Sequence, residues 1–282
     1  MKLSADVWLV AALDALPRRS VLLVALLVAC TVRVVTRNRD WRDNETLFRR
    51  TVATSPESAR SHFLLGAELL EQARFVESAV SFETGLRIAP QHVGARMSLG
   101  EAQLEARKAI EAQAAFEDAL ARAPSDEIRE RALTAALAAG RERARTGMWD
   151  DARRRFARAL ELAPRNVDAT NALGLVLERQ GDVDTARSHY ETAIAIDADY
   201  TPAILNLASV RMQMGELAAA VELFSRAVTL APSSYEAYNA LGIAMARQGQ
   251  TDEAEAAFRK ALAIDPGLDA ARDNLLALGK TP

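Results

Sequence analysis

The sequence has little of what sheet proteins, disulfide-rich proteins and catalytic sites require. It contains one cysteine and three histidines among 282 residues, and 5% of its residues are aromatic. A single cysteine excludes an internal disulfide framework and leaves the redox compartment undetermined. Runs of β-branched residues, which build sheets, are scarce outside residues 20–36. The chain is therefore predicted to be helical, with a different kind of segment near its N-terminus.

The charge balance excludes another class of function. The net charge is −3 at pH 7 and the isoelectric point is about 5.8. Nucleic-acid binding draws on concentrated basic charge, so no nucleic-acid partner is expected. Alanine, leucine, arginine and glutamate dominate the sequence, and all four are good helix formers.

One segment recurs through most of the chain. It consists of an aromatic residue, a small residue three positions later and, in most copies, a proline eight positions later. Successive aromatic residues are separated by 34, 34, 40, 34, 34 and 34 positions, and most intervals contain a Leu-Gly pair. The aromatic residues are Phe48, Phe82, Phe116, Phe156, Tyr190, Phe224 and Phe258. A register kept this long indicates a repeat protein.

Each period has the pattern of two amphipathic helices joined by a turn. Gly147, Gly181, Gly215 and Gly249 fall in the turns of the last four periods. Glycine suits these positions because a tight turn between helices commonly requires a positive φ. The glycine of the Leu-Gly pair is predicted to serve another purpose, since a missing side chain lets a neighbouring helix approach closely.

At these residues the sequence resembles the tetratricopeptide repeat (TPR) family. The family pattern places a bulky residue at position 4, Leu-Gly at 7–8, alanine at 20 and 27, an aromatic residue at 24 and proline at 32. The resemblance implies an all-α, right-handed superhelical solenoid of helix-turn-helix pairs. In the first repeat Ser78 and Gly85 replace the alanines, and in the fourth Ala198 replaces the proline.

The resemblance divides the chain into a hydrophobic segment, a junction and six repeats. We expect residues 37–56 to be the junction and a half-repeat helix, and residues 57–279 to be the repeats. The repeats start near residues 59, 93, 133, 167, 201 and 235, and residues 268–278 form a capping helix. Six additional residues follow Pro124, and they predict a longer first helix capped by Ser125 or Asp126.

Residues 1–36 contain an apolar segment that precedes the repeats. Residues 20–35 would extend about 24 Å as a helix, slightly less than the roughly 30 Å of hydrocarbon in a bilayer. A hydrophobic N-terminal helix that crosses the membrane once is the favoured interpretation. A cleaved signal peptide, with a lipobox-like Leu27-Val28-Ala29-Cys30, and a buried helix of the solenoid are the alternatives.

The junction carries a second resemblance. The sequence from Thr36 to Trp41, followed by residues 58–62 and Leu65-Gly66, resembles transmembrane-and-TPR-containing proteins. Those proteins resemble dolichol-phosphate-mannose-dependent O-mannosyltransferases, whose catalytic membrane spans are not present in this sequence. The resemblance favours repeats on the lumenal or periplasmic side, whereas the distribution of basic residues favours the cytoplasm. The side of the membrane stays open.

The titratable residues do not form a recognisable catalytic or metal-binding pattern. The three histidines are far apart in the repeat order, and His62 falls at a packing position. We therefore expect a protein that is not an enzyme and has no cofactor. An arginine cluster lies within residues 141–158, and both a solvated face and an anion-binding patch remain possible interpretations.

The TPR pattern also predicts which residues line the concave groove. Positions 2, 5, 9 and 12 of each first helix point into it in the family. These are Arg60, Phe63, Leu70, Met97, Glu101, Arg141, Asn171, Glu178, Met212 and Asn239. The mixture of apolar side chains and amides suits a protein or peptide partner. Replacing Asn171 and Asn239 by alanine is expected to leave stability nearly unchanged and to weaken binding.

Two functions follow from these observations. The first is a non-enzymatic, membrane-tethered TPR scaffold that binds a protein or peptide in its concave groove. The second is the substrate-recruiting C-terminal region of a TPR-containing O-glycosyltransferase whose catalytic membrane domain is not in this chain.

Overall fold

The computed structural model describes residues 25–32 and 43–281. Residues 43–281 form fourteen α-helices, and the described residues contain no strand. The helices are α1 (Asn44–Thr54), α2 (Ala59–Glu71), α3 (Phe75–Ile88), α4 (Val93–Glu105), α5 (Ala109–Arg122), α6 (Asp126–Arg145), α7 (Trp149–Leu162), α8 (Val167–Arg179), α9 (Val183–Ile196), α10 (Thr201–Gln213), α11 (Leu217–Leu230), α12 (Tyr235–Arg247), α13 (Thr251–Ile264) and α14 (Asp269–Ala277). The prediction of an all-helical chain is confirmed for these residues.

The chain divides into two compact units between Ala106 and Arg107. In the first unit, α1 packs on α2, α2 on α3, and α3 on α4. In the second unit, each helix from α5 to α14 packs on the next helix in the chain. Packing between consecutive helices is what the repeat period predicts, because each unit of a solenoid buries its apolar face on its neighbours.

Most first helices of the repeats begin at a side-chain cap. In five of them the capping side chain accepts a hydrogen bond from the backbone N–H three residues later. The capping residues are Ser58, His92, Ser125, Asn166 and Ser234. Helix α6, which Ser125 caps, has 20 residues, whereas α8 has 13. The predicted lengthening of this helix is therefore confirmed.

The aromatic residues of the repeats form the centre of the core in the second unit. Five rings are at most 2% exposed, and small residues surround them. They belong to Phe116, Phe156, Tyr190, Phe224 and Phe258. A Cβ added at Gly174 would lie 2.7 Å from Cε1 of Tyr190, and one added at Gly242 would lie 2.6 Å from Cε1 of Phe258. The glycine of the Leu-Gly pair therefore makes room for the aromatic ring of its own repeat.

The turns between paired helices use positive φ in six places. Glycine occupies four of them, as predicted, with φ between 74° and 88° at Gly147, Gly181, Gly215 and Gly249. In the first two repeats the same position is held by Ala73 (φ 58°) and Arg107 (φ 60°). Side chains rarely adopt this conformation because Cβ then crowds the following carbonyl oxygen. The sequence pattern did not predict positive φ at these two residues.

Helix α1 makes charged contacts with residues at the start of α3. None of its residues is buried. Glu45 Oε1 accepts hydrogen bonds from Arg49 and from Arg74 of the loop before α3, and both arginines also contact Glu77. The hydrogen bonds from Arg49 and Arg74 lower the pKa of Glu45.

The predicted apolar N-terminal segment falls mostly outside the described residues. Residues 25–32 are helical, and the exposed fractions of Leu26, Leu27 and Val28 exceed one half. Within residues 25–32 and 43–281, none of the helices has the length and apolar character needed to cross a membrane.

Candidate partner-binding site

The predicted groove residues of the first unit combine three apolar side chains with two charged ones. Arg60 is exposed, whereas Phe63, Leu70, Met97 and Glu101 are half-buried. The ring of Phe63 lies 4.8 Å from the His92 ring and 6.4 Å from the Phe82 ring, measured between centroids.

The ring of Phe63 also explains why the first repeat departs from the family pattern. A Cβ at Gly85 would lie 2.6 Å from Cδ1 of Phe63, which is closer than carbon atoms approach in proteins. Glycine thus replaces the usual alanine because the phenylalanine ring occupies the space. The second departure, Ser78, is fully buried, and its hydroxyl donates to the carbonyl oxygen of Gly66 at 2.7 Å. The hydroxyl of Ser78 is therefore hydrogen-bonded despite its burial.

The second unit carries a polar pair on the predicted groove face of the fourth and fifth repeats. Asn206 Nδ2 of α10 donates to Asn171 Oδ1 of α8 at 3.0 Å, and both side chains are half-buried. Each amide has further donor or acceptor capacity. The Nδ2 group of Asn171 and the Oδ1 atom of Asn206 make no hydrogen bond within residues 43–281.

A second pair lies two helical turns further along the same two helices. Glu178 and Gln213 each follow the corresponding asparagine by seven residues, which is almost two turns at 3.6 residues per turn. Gln213 Nε2 lies 3.5 Å from Glu178 Oε1, and the hydroxyl of Tyr190 donates to Glu178 Oε2 at 2.7 Å. Burial and this hydrogen bond raise the pKa of Tyr190, so the hydroxyl stays protonated and remains a donor.

A third pair repeats the first one near the C-terminus. Asn274 Nδ2 of α14 donates to Asn239 Oδ1 of α12 at 3.0 Å, and both side chains are half-buried. The three pairs are called the polar ladder below. Its residues are Asn171 with Asn206, Glu178 with Gln213, and Asn239 with Asn274.

Two further predicted groove residues of the second unit, Arg141 and Met212, do not belong to the polar ladder. Arg141 is exposed, and its Nη2 atom lies 3.5 Å from Asp168 Oδ2. The Tyr200 hydroxyl donates to the other oxygen of Asp168 at 2.6 Å, so this carboxylate has both a cation and a neutral donor. Met212 is half-buried and packs beside the cluster around Phe224, where it contributes apolar surface.

The sequence pattern missed half of the polar ladder. Asn206, Gln213 and Asn274 are not at the positions assigned to the groove, yet each lies 35 residues after its partner. That interval is one repeat and one residue. Pairs of polar residues at this spacing were visible in the sequence. The spacing predicts a contact only when the packing of neighbouring first helices is known.

The arginine cluster of the third repeat is largely engaged within the fold. Asp151 is contacted by Arg143 at 2.8 Å, by Arg154 at 3.2 Å and by Arg155 at 3.3 Å. Arg158 Nε lies 3.2 Å from Glu117 Oε1 of α5. These ion pairs favour a solvated structural face over an anion-binding patch.

Two of the three histidines have structural roles. His62 is 8% exposed, and its Nε2 atom lies 2.9 Å from the Pro56 carbonyl oxygen, in line with its predicted packing role. His92 caps α4 through Nδ1. Within the described part of the chain, no group of three histidine, cysteine or carboxylate residues is arranged to hold a metal ion.

The paired helices, packed within each unit on the next helix in the chain, define a helical-repeat protein. Residues 137–201 and 205–269 match the family model described as tetratricopeptide repeat. These residues of the chain are therefore tetratricopeptide repeats. TPR arrays generally bind protein or peptide partners.

Solved structures of similar fold include two that are described as TPR proteins. YrrB, described as a TPR protein with an unusual peptide-binding site, is 21% identical, with a TM-score of 0.53 over 68% of this chain and 96% of that one. A C-terminal part of a TPR repeat-containing protein from Cytophaga hutchinsonii is 15% identical, with a TM-score of 0.62. The match covers 86% of this chain and 97% of that one. At these identities the likeness concerns the fold alone.

A curated relative is similar over a shorter region. Protein O-mannosyl-transferase Tmtc2 of Drosophila melanogaster is 36% identical over 72 residues. The matched region is 24% of this chain and 8% of that protein. The chain therefore corresponds to a small fraction of the length of this relative.

Proposed function

We propose that this chain is a non-enzymatic scaffold that binds an extended segment of a protein partner on the first helices of its second unit. The observation that carries the proposal is the polar ladder, in which Asn171 and Asn239 occupy positions that the TPR pattern assigns to ligand binding. An extended backbone presents alternating N–H and C=O groups, and amide side chains both donate and accept.

The geometry of the amide pairs supports this proposal. In each pair one hydrogen bond fixes the two side chains, and one Nδ2 group and one Oδ1 atom remain without a partner in residues 43–281. Fixed amides lose less side-chain entropy when a ligand binds than mobile ones do. Met212 of α10 adds half-buried apolar surface that a side chain of the partner can contact.

The test combines selection of ligands with removal of two amides. The full chain is used to select binders from a library of random displayed peptides, and their affinities are measured for the original chain and for the Asn171→Ala, Asn239→Ala double variant. We expect the variant to bind at least tenfold more weakly, about 1.4 kcal/mol. The control is Asn44→Ala, which makes the same change at an exposed position of α1 in the first unit. Equal affinities for all three proteins would place the site elsewhere.

We also propose that the apolar residues 20–35 attach the scaffold to a membrane as a single span. Support comes from the uncharged run of residues 20–32 and from the exposed apolar side chains of residues 25–32. The full chain should resist extraction from membranes at alkaline pH, whereas residues 41–282 should remain in the soluble fraction. Cys30→Ala separates a span from a lipid anchor, because the span requires no modification of that thiol. A folded 41–282 fragment that still pellets with membranes would contradict the proposal.

A second candidate function is the recruitment of substrates for an O-glycosyltransferase. The similarity to Tmtc2 favours it, since that protein is named as an O-mannosyl-transferase. In this case the repeats would present an acceptor protein to a catalytic membrane domain that is encoded separately or upstream. A neighbouring reading frame with many membrane spans whose product co-purifies with the chain would favour this candidate over the isolated scaffold.

A further inference from the structure

Glu178 is the one member of the polar ladder that carries a charge. Its carboxylate is half-buried at the C-terminal end of α8, where α9 and α10 also contribute contacts. Both of its oxygens are held by neutral donors, Tyr190 and Gln213. Within residues 43–281 no arginine, lysine or histidine forms an ion pair with it, although Arg179 is its neighbour in sequence.

A second carboxylate on the same helix shows the contrast. Asp168 also accepts a hydrogen bond from a tyrosine hydroxyl, but Arg141 lies 3.5 Å from its other oxygen. The described part of the chain therefore supplies a cation for Asp168 and none for Glu178. A half-buried carboxylate that is held in place without a cation loses hydration and gains no ion pair in return.

The position of Glu178 relative to the amides also matters. Asn171 and Glu178 lie seven residues apart on one face of α8, which is about 10 Å along the helix axis. A lysine or arginine side chain extends about 6 Å from the backbone by the covalent geometry of its stem. Each residue of an extended segment advances about 3.3 Å, so a segment held by the Asn171–Asn206 pair can place such a side chain against Glu178 from one or two residues further along.

We infer that the partner segment carries a lysine or arginine side chain whose cation binds the Glu178 carboxylate, a conclusion that rests on the proposed function above. The amide pairs hold the backbone of the segment, and Glu178 selects its side chain. The Tyr190 hydroxyl keeps the carboxylate aimed, because a donor at 2.7 Å restricts the rotation of the glutamate. Tyr190 is thus a positioning residue, and Glu178 is the residue that contacts the ligand.

The experiment starts from the same random peptide library and the full chain. We expect the retained peptides to be enriched in lysine or arginine at one position. One such peptide is then compared with its analogue in which that residue is methionine, which keeps similar length and removes the charge. The analogue should bind the original chain at least tenfold more weakly, and the difference should shrink as the salt concentration rises.

Variants assign the effect to Glu178. In Glu178→Gln the peptide and its methionine analogue should bind equally, since the charge is lost and an acceptor for Tyr190 remains. Glu222→Gln removes the same charge from an exposed position of α11 and should preserve the tenfold difference. Tyr190→Phe introduces the aromatic residue of the other repeats and should fold. It should reduce the difference in affinity between the peptide and its methionine analogue.

The outcomes distinguish this inference from the proposed function. Peptides that are retained without basic enrichment, or a difference that survives Glu178→Gln, would overturn the inference and leave peptide binding intact. An equal loss in the Glu178 and Glu222 variants would assign the effect to net charge and would also overturn it. Failure of the chain to retain any peptide would overturn the proposed function, and this inference with it.

Discussion

At the scale of single residues, Phe63 and Gly85 form a pair whose sizes depend on each other. The alanine that the family uses at position 27 does not fit beside the Phe63 ring, since its Cβ would lie 2.6 Å from Cδ1. We therefore expect Gly85→Ala to lower the free energy of unfolding by about 1–3 kcal/mol, as overpacked core substitutions do. The measurement is urea unfolding followed by circular dichroism.

A second background tests the cause of this effect. With Phe63→Leu already present, Gly85→Ala should cost clearly less, because the ring is gone, the Ala59 carbonyl oxygen at 3.2 Å is the remaining close neighbour, and alanine favours a helix over glycine by up to about 1 kcal/mol. The matched control is Gly94→Ala in α4, where an added Cβ would meet His92 at an ordinary 3.5 Å. An equal loss of stability in both backgrounds would mean that the Phe63 ring is not what excludes the alanine.

Some contacts of single residues were not predicted from the sequence. The pattern placed Asn171 and Asn239 on the groove face and treated them as free of packing. The structure pairs each with an asparagine 35 residues later. Their replacement by alanine should therefore lower stability modestly, by about 1 kcal/mol for each hydrogen bond lost, rather than leave it unchanged. The sequence could not predict this, because the pairing depends on how far neighbouring first helices are offset.

At the scale of secondary-structure elements, the turns between paired helices differ in conformational strain. Gly181 has φ 88°, whereas Ala73 has φ 58° at the equivalent position of the first repeat. We expect Gly181→Ala to lower the free energy of unfolding by about 1–2 kcal/mol, the cost of a side chain in this region. Ala73→Gly should raise it by less than about 1 kcal/mol, since glycine also increases the entropy of the unfolded chain. Changes of the same sign in the two variants, measured by thermal unfolding, would contradict this account.

The elements themselves were largely predictable, for physical reasons. The 34-residue period, Ser125 and the absence of glycine and proline after it predicted a longer helix at α6. Local signals sufficed because a capping side chain and apolar periodicity act within one helix. The ion pairs Arg49–Glu77 and Arg74–Glu45 were not predicted, since they join side chains nearly thirty residues apart.

At the scale of the whole molecule, stability should be distributed by repeat rather than shared uniformly. Each helix of the second unit packs chiefly on the next one in the chain, and the rings at position 24 fill the space between them. In such arrays stability is approximately a sum of terms for single repeats and for neighbouring interfaces. A substitution in one repeat should therefore affect nearby helices first.

Phe224→Ala tests this expectation. The ring of Phe224 is 1% exposed at the centre of a cluster that includes Ala208 and Leu241. Its removal should cost about 3–5 kcal/mol, the usual cost of truncating a large buried side chain. Amide hydrogen exchange should quicken in α10–α13 well before it does in α2–α4, which belong to the first unit. Equal acceleration of exchange in both units would mean that the array unfolds as a single cooperative body, and would exclude a sum of local terms.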